Sequence, residues 1–388
     1  MELSTASFAY PDVDGIGRAA LAERLAGSSI ARDCFVLTSC LRSEIVVPGS
    51  VEKLDEVVAQ LLGDLGDRLE PKVRHGDRAV AHIFRIAAGL ESPILGEHEI
   101  LTQFRQGLIE AEEQGTVGGV FARLLESAIA VGRQARELIP GTPHNSMAAV
   151  SAYGVGSASR VAVLGSGVMA VAVVDGLLQL PAPPEIVVVA RNPEKVPERE
   201  GIAVLGFEHA EAVMAEFPAV ISATSAKRRL IEDETMARIV ASRREAMFLV
   251  DMAMPPDFSP PGTPLVTYLS IDALARMADR RKRTAKADEF VESAAREAHR
   301  QYRDHHEIGP LVGQLVDTAD ETVEAAVRKF SGRLTDPADS AVLRQAAHTV
   351  ARRILADPIS YLKSADRTPD AIDVIAAAFA VDERSAGR

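Results

Sequence analysis

The sequence predicts an α/β chain in three parts, and three observations carry that reading. Up to about residue 145, β-prone apolar runs mix with helical spacing. From Arg160, short buried strands alternate with helices. From Ile271, a charged stretch runs on without Gly or Pro. At roughly 100–200 residues per domain, 388 residues correspond to two or three domains. The expected boundaries are 1–145, 146–268 and 269–388.

In the first part, "DCFVLTSC" and "EIVVPGS" read as neighbouring strands around the short segment Leu41-Arg42-Ser43. "SVEKLDEVVAQLLGDLG" puts Leu54, Val57, Val58, Leu61 and Leu62 on one helical face. Asp77 is placed to cap the next helix, whose Val80, Ile83, Phe84 and Ala87 point inward, with His82 off that stripe. After the turn "LESPILGEHE" come two more amphipathic helices, closed by Gly115 and by Pro140-Gly141. The Gly/Ser-rich "TPHNSMAAVSAYGVGSAS" marks a boundary. "RVAVL", "EIVVVARN", "FPAVISATSA" and "MFLVDMAMPPDF" then read as buried strands of a parallel sheet with both faces covered. From Ile271 one uninterrupted, protruding helix is expected. The remainder is helical, with Leu311, Leu315, Val323 and Val327 forming apolar faces for a second copy of the chain to cover.

Composition sets limits. No apolar run reaches the ~18–20 residues of a membrane helix, and the N-terminus lacks the basic-then-apolar pattern of a signal peptide. Cys34 and Cys40 are the only cysteines, six apart in what reads as one strand. That separation is about 20 Å, too far to bridge. A reducing, cytoplasmic setting follows. The net charge of −12 argues against non-specific nucleic-acid binding, although Arg280-Arg281-Lys282-Arg283 is a local basic run. On charge alone that run reads as a solvated helix face. His305 and His306 are adjacent on a helix and point apart, so no metal site is expected.

Gly165-Ser166-Gly167-Val168-Met169-Ala170 follows a strand and opens a helix, the setting a G-x-G-x-x-G/A dinucleotide turn requires. The helix N-terminus faces the pyrophosphate with its positive end. The second strand ends in Arg191-Asn192 rather than an acid, which suits a 2′-phosphate and favours NADPH over NADH. A pyridine cofactor with one candidate thiol suggests reduction through a thioester. Taken by themselves, Cys40 also reads as a buried strand cysteine and His82 as a satisfied helix histidine.

Five ordered stretches resemble the glutamyl-tRNA reductase family. "TSCLRSE" resembles S-T-C-N-R-T-E. "HIFRIAAGLESPILGEHEILTQ" is similar to H-L-F-R-V-A-x-G-L-x-S-M-x-x-G-E-x-Q-I-L-x-Q. "GSGVMA" resembles G-A-G-E-M-G, "FLVDMAMPPDF" resembles L-x-D-I-A-V-P-R-D, and "ILADPISYLK" resembles L-x-H-x-P-x-x-x-L-R. The resemblance implies an α/β catalytic domain, a Rossmann-type NADP domain, a long spinal helix and an all-α dimerisation domain. It implies a homodimer that acts on aminoacyl-tRNA, with glutamyl-tRNA the expected substrate and a downstream aminomutase as a candidate partner. By position, Cys40 is the nucleophile and His82 a histidine needed for activity. Arg42 meets the substrate carboxylate, and Ser39, Ser92, Glu97, His98, Glu99 and Gln103 belong to the amino-acid pocket. Gly165, Ser166, Gly167, Val168, Met169, Ala170 and Arg191 hold the cofactor. The family's N-terminal motif is replaced by "STASFAYPDVDGIGRAALAERL", Leu41 stands for an asparagine, and His98-Glu99 stands for Pro-Gln. These changes keep two alternatives open: a paralogue reducing another aminoacyl-tRNA, and a non-catalytic homologue that binds aminoacyl-tRNA.

Overall fold

Period-two alternation along the N-terminal strands decides which side chains meet. The computed structural model describes residues 2–30, 32–65, 69–139, 146–155, 157–226, 228–278, 285–331, 337–364, 368 and 370–379. The basic run at 280–283 lies outside the described residues. The chain divides into two bodies, residues 2–297 and 298–388.

Strands β1 (Leu3–Ala9), β2 (Phe35–Ser39), β3 (Arg42–Pro48) and β4 (Lys72–His75) form an antiparallel sheet in the order β2-β3-β1-β4. Directly opposed residues share a face. One face carries Ala6, Phe8, Ile45 and Val47, which pack with helices α1 (Gly15–Ala26) and α2 (Val51–Leu62). The other face is polar. Cross-strand register puts Thr5 opposite Arg74, Ser7 opposite both Glu44 and Lys72, and Ala9 opposite Arg42. Helix α3 (Asp77–Ala87) packs on β1 and β4. Its N-cap is Gly76 rather than Asp77, which occupies the first helical position and meets the helix dipole there. Helices α4 (His98–Glu113) and α5 (Gly119–Glu137) complete this region. The β2–β3 connection is the two-residue turn Cys40-Leu41, tighter than the Leu41–Ser43 segment expected, because Ser39 already pairs with Arg42.

Residues 146–154, expected as part of a linker, hold α6 (Met147–Gly154). Small side chains let it approach α7 (Val168–Leu178) closely: a Cβ on Gly176 would lie 3.3 Å from Ala152 Cβ. Strands β5 (Arg160–Leu164), β6 (Glu185–Ala190), β7 (Ile202–Gly206), β8 (Ala219–Ser222), β9 (Met247–Asp251) and β10 (Val266–Ser270) form a six-stranded parallel sheet in the order β10-β9-β8-β5-β6-β7. Both faces are covered, as the buried strands require. Val161 and Val163 enter one core with α6 and α7. Ala162 and Leu164 enter a second with α8 (Ala210–Glu216) and α9 (Asp233–Ser242). β7 and β10 are edge strands that the sequence reading does not anticipate.

The helix expected from Ile271 is interrupted. α10 (Ile271–Met277) buries Ile271 and Leu274 and ends where Ala278 turns extended; α11 (Ala285–Ser331) then runs through Pro310. In the second body, α11 packs with α12 (Pro337–Leu362) and α13 (Ala371–Ala378) around Ile308, Leu311, Leu315, Leu355 and Leu362. Val323 and Val327 are also buried. No described helix is long and apolar enough to cross a membrane.

The α3–α5 crossing is close. A Cβ on Gly132 would lie 2.5 Å from the Ala87 carbonyl oxygen. Gly132→Ala is expected to cost about 1–3 kcal/mol, read as a lowered urea midpoint at unchanged m-value.

Candidate active site

Cys40 occupies the first position of the β2–β3 turn, half-buried, with its thiol free. The turn is held on two sides. Arg18, 1% exposed, donates Nε–H to the Cys40 carbonyl at 3.1 Å. Its Nη1 reaches the Val13 carbonyl and its Nη2 the Asp272 carboxylate. Asp272 also accepts the Gly15 amide at 3.1 Å. Leu41 is buried with Ile94 in the core beneath the parallel sheet, and Cys40 and Tyr10 pack against that core. The family's asparagine is therefore replaced here by a packing residue. Burial pushes the Cys40 thiol up to about 12, with Glu97 adding to the rise and Arg18 opposing it. Cys34 is fully buried at the other end of β2, and burial likewise pushes its thiol up to about 12.

The polar sheet face supplies a second group. Glu44, fully buried, accepts from Ser7 Oγ at 2.9 Å and from Arg42 Nη1 at 3.4 Å. His82 Nε2 lies 3.2 Å from its other oxygen, so against a carboxylate that nitrogen carries the proton. Arg42 Nη2 also donates to the Glu91 carbonyl. Arg85 Nε donates to the Glu91 carboxylate at 2.6 Å and its Nη1 to Asp288 at 2.6 Å. Arg42, His82 and Ser92 line a cavity of about 210 Å³ with Lys72, Arg74 and Tyr10.

Glu99 and Gln103 line a different space. This groove of about 830 Å³ runs between α1, β2 and α4 and ends on Val168 and Met169. Ser39, Cys40 and Glu97 line neither cavity. Ser39 Oγ accepts the Leu41 amide at 3.4 Å, and the side chain of His98 lies outside the described residues. Glu97 is buried, with its carbonyl held by Arg136 at 2.8 Å. Burial raises its carboxyl to about 7; Glu99 adds to the rise, and a Ser92 hydrogen bond and the Arg42 and Arg136 charges oppose it.

The glycine turn lines a third cavity, of about 320 Å³, with Arg191, Thr224 and Phe207. Gly165 has φ +125, and a Cβ there would meet the Ala223 carbonyl at 2.5 Å, so only glycine makes this turn. A Cβ on Gly167 would meet nothing within 4 Å, which leaves open space at the N-cap of α7. Val168 is exposed and Ala170 buried. Exposed Arg191 stands at the end of β6. A dinucleotide fits this donor set: amides at a helix start, an open cradle and a cation on the rim. Thr224 is fixed by Asp257, which accepts its hydroxyl at 2.9 Å and that of Ser222 at 2.6 Å. Asp251 accepts from Tyr268 at 3.0 Å, and burial together with Asp257 pushes it up to about 6.

Arg18, Glu44 and Arg74 escape the sequence reading. Arg18 sits on the apolar stripe of α1 with Leu21 and Leu25, and Glu44 in a strand buried on both faces. A charge in either setting is the signal that could have found them.

A parallel sheet with a glycine cradle, joined to a hairpin bearing a free thiol, defines an oxidoreductase with a Rossmann-type nucleotide domain. Residues 9–138 match the glutamyl-tRNAGlu reductase N-terminal domain, 148–277 the shikimate/quinate 5-dehydrogenase domain and 286–381 the glutamyl-tRNAGlu reductase dimerisation domain. Glutamyl-tRNA reductase from Thermus thermophilus is 31% identical over 81% of each chain. That from Kineococcus radiotolerans is 29% identical, covering 94% of this chain and 87% of its own. A solved glutamyl-tRNA reductase from Methanopyrus kandleri covers 97% of each chain at 22% identity and a TM-score of 0.46. The chain belongs to the glutamyl-tRNA reductase family.

Glu97 has a measurable pH signature. An unfolded carboxyl releases its proton near 4.5 and the folded one near 7. The folded state therefore binds more protons across that window, and stability falls as pH rises through it. Urea midpoints from about pH 4.5 to 7 are expected to fall in the native chain and to fall less steeply in Glu97→Gln.

Proposed function

We propose that this chain reduces glutamyl-tRNA to glutamate-1-semialdehyde with NADPH, opening tetrapyrrole synthesis, through a thioester on Cys40. One observation carries the reading: a free thiol in a tight turn, held by the buried Arg18 and packed against the core of the nucleotide sheet. The relatives' names supply the substrate, and the rim cation Arg191 supports NADPH over NADH.

The thiol is neutral at pH 7, so its proton leaves as the sulfur attacks. The sulfur–carbon bond forms at the glutamyl carbonyl. The ester carbon–oxygen bond breaks, and the released tRNA hydroxyl receives the proton. When bound along Gly165–Ala170 and Arg191, NADPH supplies a hydride to the thioester carbon. With one further proton the carbon–sulfur bond breaks, leaving aldehyde and thiol. Arg42, Ser92 and His82 shape the acyl cavity, with His82 and Arg42 oriented by Glu44. Ser39 supports the turn, His98 opens α4, and Glu99 and Gln103 line the larger groove.

The match over 286–381 supports a homodimer, and two free thiols suit the cytoplasm. We retain the division into 1–145, 146–268 and 269–388. A reactive amino aldehyde also suits direct transfer to an aminomutase.

Single-turnover assays with glutamyl-tRNA and NADPH test the scheme. The native chain is expected to yield aldehyde and Cys40→Ser none. Aldehyde from Cys40→Ser at the native rate would exclude the thioester. Arg191→Ala is expected to weaken NADPH binding on the order of tenfold and leave NADH binding unchanged, read by fluorescence titration.

A further inference from the structure

The turn that carries the thiol has a second residue, and its side chain belongs to another part of the fold. Leu41 is 4% exposed and lies in the core that holds Ala170 and Val173 of α7 with Ile271 and Leu274 of α10. α7 is the helix that opens at the glycine turn. The polar tether of the turn runs the same way: Arg18 joins the Cys40 carbonyl to Asp272, the second residue of α10. Ser39 and Arg42 are already paired across the strands, so Cys40 and Leu41 have no loop to absorb a shift of either. The cavities meet at α7 as well. Val168 and Met169 line both the cofactor cavity and the larger groove, whose lining continues to Leu37 and Thr38 of β2.

We propose that Leu41 is a positioning residue: seated in the core shared with α7, it registers the Cys40 thiol with the reacting end of the bound cofactor. This deepens the reductase reading above and rests on it. Acyl transfer to the sulfur uses the hairpin and the N-terminal sheet; hydride transfer joins that part of the chain to the nucleotide sheet. The second step tolerates little displacement between donor and acceptor. An apolar side chain holds the turn because leaving the core would expose it to water. A polar side chain of similar shape would bury an amide among apolar neighbours, which favours release of the turn.

The test separates the steps in the native chain, Leu41→Asn and Leu41→Met, with urea midpoints on each. Release of tRNA from glutamyl-tRNA without NADPH reads acyl transfer, and the nicotinamide absorbance lost on adding NADPH reads reduction. A third readout needs no tRNA: alkylation of Cys40 by iodoacetamide with and without NADPH, followed by peptide mass spectrometry. Bound NADPH is expected to slow alkylation in the native chain and to lose that effect in Leu41→Asn. Leu41→Asn is expected to slow reduction about tenfold or more while tRNA release changes by less than about twofold, and Leu41→Met to restore both the rate and the protection. Equal losses in the two steps would mean that Leu41 only supports the fold, and would overturn the proposal. So would native reduction and native protection in a folded Leu41→Asn. Leu41→Val, which withdraws the side chain without burying a polar group, carries the same test should Leu41→Asn fail to fold. A native chain that releases no tRNA, yet shows NADPH protection that Leu41→Asn abolishes, would sink the glutamyl-tRNA reading and support the positioning role. Native reduction with no effect of NADPH on alkylation sinks only the inference.

Discussion

A carboxylate taken wholly out of water must be answered by donors on every side, and Glu44 is answered by Ser7, Arg42 and His82. That requirement organises the N-terminal body. It fixes β1 against β3 in one register, since a slip of one residue would put Glu44 into the apolar face beside Ile45. It sets the ring of His82 and the guanidinium of Arg42, and through Arg42 it reaches the loop at Glu91. Arg85 carries the same loop to Asp288 at the start of α11. The polar face is thus a continuous set of charge-assisted hydrogen bonds in which most members have more than one partner.

The thiol depends on a second, smaller version of the same logic. Arg18 replaces an apolar side chain on α1 and spends its donors on two carbonyls and one carboxylate. Among the described residues its guanidinium opposes the rise of the thiol, while Glu97 and Glu99 act the other way. The turn is therefore pinned by Arg18, and its thiol is held in the neutral form rather than activated.

Legibility in the sequence followed burial. β5, β6, β8 and β9 were plain because strands covered on both faces read as apolar runs. β7 and β10 were missed because edge strands are half-exposed and carry no such run. α6 was hidden by its small residues, which look like a linker and serve as a close-packing surface. The break after Met277 was missed because neither Gly nor Pro marks it. Motifs some forty residues apart brought Arg42, His82 and Ser92 to one cavity, yet their spacing could not show that Glu99 and Gln103 face another. Arg18 and Arg74 lay outside every motif, and their meaning depends on pairing across the fold rather than on neighbours in the chain.

The partner of Arg18 lies 254 residues further along the chain. On the ribosome, the hairpin bearing the thiol emerges early, whereas Asp272 emerges only after the whole parallel sheet has been made. Until then α1 lacks both the counter-charge for its buried guanidinium and the acceptor for its Gly15 amide. The nascent chain therefore carries its cysteine in an unfinished setting for most of its synthesis. Completion of that setting is tied to completion of the nucleotide domain, so a truncated product holds Arg18 without its carboxylate partner.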